Sequence, residues 1–231
     1  MMHRPILQSA LPRPMLRSAL MQRPLLRTAT ISTRAVLSSL ADDRRLHETR
    51  LWLDRIVIGS KLCPFAHPVR EPPQLRLRAS SASSEDAVVR EVADDAAALR
   101  AGSPGTAETS LLVLGTSIGG QSLSWRELTH LSWRLQEEVI VAGGHAEHLQ
   151  IVCFHPQATH SMYADAGAPL DAGDYTIRSP HPIVQLLREV DVLRAVQLHP
   201  DAAGIPGRNR ARLRESGLEA CQQLLQSCHL P

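Results

Sequence analysis

Aromatic side chains are scarce in this chain: three Trp, two Tyr and two Phe in 231 residues. The core must therefore be aliphatic, and a stacked-ring platform for single-stranded nucleic acid is argued against. Long apolar runs are missing too. The best, 111–114 and 151–154, fall far short of the roughly 18 residues of a membrane span, so no bilayer crossing is expected. The four cysteines, Cys63, Cys153, Cys221 and Cys228, lack Cys-x-x-Cys spacing, and the eleven histidines form no His-Glu-x-x-His. Neither a disulfide framework nor a metal site is expected.

Acids are absent from residues 1–40, which instead hold Arg4, Arg13, Arg17, Arg23, Arg27 and Arg34; the first acid is Asp42. A unit Arg-Pro-apolar-Leu-x-Ser/Thr-Ala recurs there from Arg4, Arg13 and Arg23, too short to stack as a solenoid. Arg-rich, Ser/Thr-rich and acid-free, residues 1–40 read as an organellar transit peptide. That places the protein in the mitochondrial matrix, with the plastid stroma as the alternative. The other 19 basic residues face 23 acids, a formal charge of −4 against +2 for the whole chain. Nucleic acid is thus an unfavoured partner. Residues 41–231 are expected to form one globular domain.

Leu46, Leu53, Ile56 and Val57, with Trp52 alongside, predict a helix over 42–58 that Gly59 stops. Alternation over 74–79 predicts a strand with one polar face. Ser84 caps a helix over 85–101, and 109–114 is a short apolar strand. Ser124 and Glu127 have the form of a capping box for a helix that runs to Gly143-Gly144, and 148–154 is a third strand. About 24 residues without periodicity follow, a length that points to a functional loop. A helix is expected from Ser179 with a break near Val190-Asp191, then a turn about Pro200–Gly207 and a final helix over 208–228. The whole predicts an α/β single domain: a β-α-β-α-β core with a small, mostly parallel sheet flanked by helices, plus a C-terminal helical segment.

Ser179 as N-cap and Pro180 as first helical residue would aim free N–H groups toward Arg178, an arrangement that favours an anion. The segment 115–120 lacks the Gly-Lys-Ser/Thr of a phosphate loop and reads as a turn. His155 stands where the third strand ends and Pro156 turns the chain away. Cys63 precedes Pro64 in a loop. If Pro64 opens a helical turn the thiol pKa falls; if the thiol faces the C-terminal end of the first helix it rises.

Taken together, Trp52, Leu62-Cys63-Pro64-Phe65-Ala66, Phe154-His155-Pro156, Tyr175 with Arg178-Ser179-Pro180-x-Pro182, Leu187-Arg188-Glu189, and Pro206 with Arg208-Asn209 resemble the family catalogued as domain of unknown function 1415. The resemblance spans about residues 46–217. It implies a single domain of mostly bacterial type and no established activity. His181 stands where that family usually has Tyr, and Gln185 where it often has His.

Three functions compete. In the first, a small soluble enzyme uses Cys63 as nucleophile or redox thiol and His155 as base, with Arg178, Ser179, Arg188, Arg208 and Asn209 holding a phosphate or carboxylate of a small anionic substrate. In the second, an accessory protein captures an anionic ligand or a protein partner through Arg178 and Arg208. The third is RNA association through Arg208, Arg210, Arg212 and Arg214, diluted by Glu215 and Glu219. The sequence names no cofactor.

Overall fold

The structure, a computed structural model, describes residues 33–102, 106–161 and 169–231. Helix α1 (Thr33–Trp52) continues through Leu53–Ile58 in a wider π-helical winding, where the N–H of Gly59 reaches back five residues to Asp54 O at 2.9 Å. It begins at Thr33 rather than at Asp42; the expected leader up to residue 32 lies outside the described residues. Strand β1 (Leu75–Ala79), helix α2 (Glu85–Ala101) and strand β2 (Thr109–Val113) form a parallel β-α-β unit, with Ser84 capping α2 through the Ala87 N–H. The glycine segment is a small hairpin of β3 (Ser117–Ile118) and β4 (Gln121–Ser122). Its turn puts Gly119 and Gly120 at φ +59° and +79°, which side-chain-bearing residues rarely adopt.

The expected capping box is present in helix α3 (Trp125–Leu135), which extends through Gln136–Val141 to reach strand β5 (Leu149–Phe154). The expected helix at Ser179 is not. Residues 183–188 form strand β6 (Ile183–Arg188), and helix starts only with α4 (Glu189–Leu198), where a break was expected. A short apolar run reads alike as buried helix or buried strand, and here the central place in a sheet decides. β6 lies between β2 and β5 in the order β1-β2-β6-β5, antiparallel to both, so the three expected strands point one way and β6 the other. The C-terminal helix is two, α5 (Ile205–Ser216) and α6 (Leu218–Gln226), broken at Gly217, whose φ of +86° no helix accepts.

Alternation along the strands gives the sheet two apolar faces. On one, Leu112, Val184 and Leu186 pack against Val92, Ala96 and Leu99 of α2 and Leu128, Leu131 and Leu135 of α3. On the other, Leu111, Val113 and Ile183 meet Trp52 and Ile56 of α1, Leu213 of α5 and Cys221 of α6. The polar side of β1 reaches α2 while staying partly in water: buried Asp95 accepts from the exposed Arg76 Nε at 2.8 Å, Arg78 Nε at 2.9 Å and Ser110 Oγ at 2.8 Å.

Candidate functional site

The second face is not filled along its whole length. Next to the α1 packing the sheet opens onto a cavity of about 760 Å³. The sheet contributes Thr109, Leu111, Gln185 and Leu187; α1 adds Trp52, Leu53 and Val57, and α4 adds Val192, Ala195 and Leu198. The loop after α1 closes one side with Leu62, Cys63 and Phe65, and Phe65 meets His199 at the end of α4 edge-on, ring centroids 5.7 Å apart. No α4 residue is buried, although the helix walls the cavity, since the space beneath it is empty rather than packed. This size falls in the range of small-molecule sites.

Of the expected site residues, Cys63, Arg188 and Asn209 line this cavity; His155, Arg178, Ser179 and Arg208 do not. Burial pushes the Cys63 thiol above its ordinary value near 9, and the amides of Phe65 and Ala66 pull it back only in part. The lowering foreseen from amides after Pro64 is present, but what outweighs it is desolvation, which the sequence reading did not weigh, rather than the end of the first helix. His155 is 4% exposed, with both ring nitrogens committed. Leu123 O, 2.8 Å from Nε2, can only accept, so that nitrogen carries the proton, and Nδ1 takes the Gln157 N–H at 3.0 Å. Burial lowers its pKa, with the Leu123 contact opposing. The ring fastens loops together, and no hydrogen bond connects it to Cys63.

The arginines are also engaged within the chain. Arg178 donates from Nε to Ala158 O at 3.0 Å and lies 4.8 Å over the Tyr175 ring, while its own carbonyl accepts from Trp52 Nε1 at 2.9 Å. Ser179 is fully buried and donates to His181 O at 2.5 Å, so it caps no helix and no helix N-terminus faces Arg178. Arg188 pairs with Asp191 at 2.5 Å, and Arg208 pairs with Asp201 at the surface. Asn209 Nδ2 donates to Leu62 O at 2.5 Å, holding the cysteine loop against α5. Among the described residues of the long loop after β5, the His160 N–H donates to buried Asp174 at 2.9 Å, and Arg214 of α5 clamps Asp171 at 2.6 Å.

A family model described as "Protein of unknown function (DUF1415)" matches residues 44–223. The chain belongs to that family. No curated protein and no solved structure matches it. Every residue of the cavity wall, from Trp52 to Asn209, falls inside the stretch shared with the DUF1415 family.

One polar cluster extends beyond that stretch. Glu48 of α1, 1% exposed, accepts from Arg44 Nε at 2.8 Å, the Leu230 N–H at 2.9 Å and His181 Nε2 at 2.7 Å, with His229 Nδ1 at 3.2 Å. Burial alone would raise its pKa; the Leu230 amide, Arg44 and the two histidines outweigh burial and hold it at about 2. The cluster ties the C-terminus to α1 and to the start of β6. Among the described residues no group of His, Cys, Asp and Glu is arranged to hold a metal ion, and no helix is long and apolar enough to cross a membrane. Sequence reasoning missed Gln185 and Thr109 as cavity residues, although Gln185 is the one polar residue between Ile183 and Leu187.

Proposed function

We propose that this protein binds a mostly apolar, uncharged small molecule in the cavity beside α4, as a carrier or sensor. The observation that carries the reading is the cavity itself: about 760 Å³, walled chiefly by aliphatic and aromatic side chains between a sheet and a helix with no buried residue. Charge at the wall is cancelled in part, since Arg188 holds Asp191, Arg70 holds Asp54 at 3.2 Å and Arg194 is exposed to solvent, while the half-buried Glu108 has no ion pair among the described residues. Cys63 sits in the wall as a neutral thiol without an imidazole partner, so support for a Cys63–His155 enzyme is weaker than support for binding. The acid-free, arginine-rich residues 1–40 support a mitochondrial address, which import of a fluorescent fusion of those residues would test.

Titration with N-phenyl-1-naphthylamine, a neutral apolar fluorophore, tests the cavity. Saturable fluorescence enhancement is expected for the wild type. Ala195→Trp, which fills the cavity from α4, should weaken it about tenfold or more while thermal stability holds. No saturable enhancement in the wild type, or equal enhancement in Ala195→Trp, overturns the reading.

A further inference from the structure

Within the cavity one side chain has a fixed and unspent hydrogen-bonding capacity. Gln185 faces it from β6, the strand that the order β1-β2-β6-β5 places inside the sheet, and its flanking residues Val184 and Leu186 turn to the packed face. Thr109 Oγ1 lies 2.8 Å from Leu186 O, a carbonyl that can only accept, so the single hydroxyl proton is committed there. Towards Gln185, 2.9 Å away, the hydroxyl must therefore accept, and it selects the amide NH₂ rather than the amide oxygen. The flip of Gln185 is thus set by the neighbouring strand. What is left is Oε1 as acceptor and one N–H as donor, with no other partner among the described residues.

A ligand that expels water from this apolar space must satisfy both groups, because an amide left unpaired under an apolar body costs binding. A carboxylate offers no donor and sets its own oxygens against Oε1. An ester offers an acceptor only, and an ammonium a donor only. A primary amide or a hydroxyl offers both. We infer that Gln185 reads the ligand's head group, and that the ligand class is an apolar molecule ending in a neutral group that both donates and accepts, a primary amide or an alcohol. This rests on the cavity being a binding site. The Arg188–Asp191 pair agrees with it, since the cation nearest to the end of β6 already has its counter-ion at 2.5 Å.

The test is displacement of N-phenyl-1-naphthylamine from the full chain by decanamide, decan-1-ol, methyl decanoate and decanoate, which share one chain length and differ in the head. Decanamide and decan-1-ol should displace the fluorophore at concentrations about tenfold below the ester and the carboxylate. In Gln185→Leu that preference, read as the ratio of displacing concentrations within the variant, should shrink to within about threefold. Thr109→Val, which leaves Gln185 in place and removes its anchor, should lower the preference by an intermediate factor. Fluorophore binding without head-group preference, a preference for decanoate, or a preference unchanged in Gln185→Leu overturns the role of Gln185 and leaves the cavity reading standing. A wild-type protein that binds no fluorophore overturns both.

Discussion

On one face of the sheet Leu112, Val184 and Leu186 meet α2 and α3 with their side chains fully enclosed, whereas on the other Thr109, Gln185 and Leu187 look onto an open space of about 760 Å³. The same strands supply both sets, so the difference arises in the covering helices. α2 and α3 present Val88, Val92, Leu128, Leu131 and Leu135 at helical spacing and lie flat. α4 has no fully buried residue, and Arg188–Asp191 at its start and the Phe65–His199 contact at its end tie it in place. Close packing is the ordinary finish of an interior, and a face left open beside one packed to completion is what supports the ligand we propose there.

The largest expected effect breaks this comparison directly. Leu131→Ala, on the packed face, should cost about 2–5 kcal/mol, because the enclosed site cannot collapse around the lost atoms. Leu187→Ala, in the cavity wall, should cost about 1 kcal/mol or less, since part of its surface is already unpacked. Urea unfolding of both variants measures this. Equal costs would mean that the cavity closes in solution and the two faces do not differ.

A second effect sharpens the comparison away from the cavity, where the Glu48 cluster ties α1 to the C-terminus and to the start of β6. Glu48 titrates at about 2 in the folded chain against 4.5 as its ordinary value, so the folded state binds fewer protons in that interval. Its contribution, on the order of 3 kcal/mol, is fully present above pH 4.5 and is lost as the pH falls towards 2. His181 acts in the same direction at higher pH: burial holds its pKa below 6.5 in spite of Glu48, so acidification below 6.5 favours the unfolded chain, which takes the proton more readily. Glu48→Gln should lower stability at pH 7 and flatten its fall between pH 4.5 and 2. A profile as steep as the wild type's in that interval would remove Glu48 as its source.

Local signals were legible where local chemistry decides. The caps of Ser84 and Ser124, the three strands that point one way, and the turn glycines all follow from short-range rules and stand in the structure as expected. The central strand was not legible, because Ser179-Pro180 before a short, mostly apolar run satisfies a helix start equally well. Only the vacancy between β2 and β5 makes it a strand. The candidate site followed the same division. Cys63, singled out as a catalytic thiol, and Arg188 and Asn209, singled out to hold an anion, were chosen for their places at loops and element ends; the structure puts all three at the cavity wall and does not bear on those roles. Gln185 was not, because its meaning depends on Thr109, 76 residues away.

The smallest expected effect concerns the pair that sequence reasoning placed at the centre of chemistry. Cys63 faces the cavity and His155 is locked between Leu123 O and the Gln157 N–H, so the imidazole has no free nitrogen to take a thiol proton. Iodoacetamide labelling of Cys63, in protein with Cys153, Cys221 and Cys228 changed to Ser, should stay slow at pH 7 and accelerate only above the ordinary thiol range near 9. His155→Gln, which keeps an N–H for Leu123 O, should leave that profile where it was, whereas an imidazole acting on the thiol would shift it. The pH at half-maximal labelling therefore separates a wall residue from a nucleophile. An apparent pKa well below 9 that rises in His155→Gln would return catalysis to the open face and make the cavity a substrate pocket.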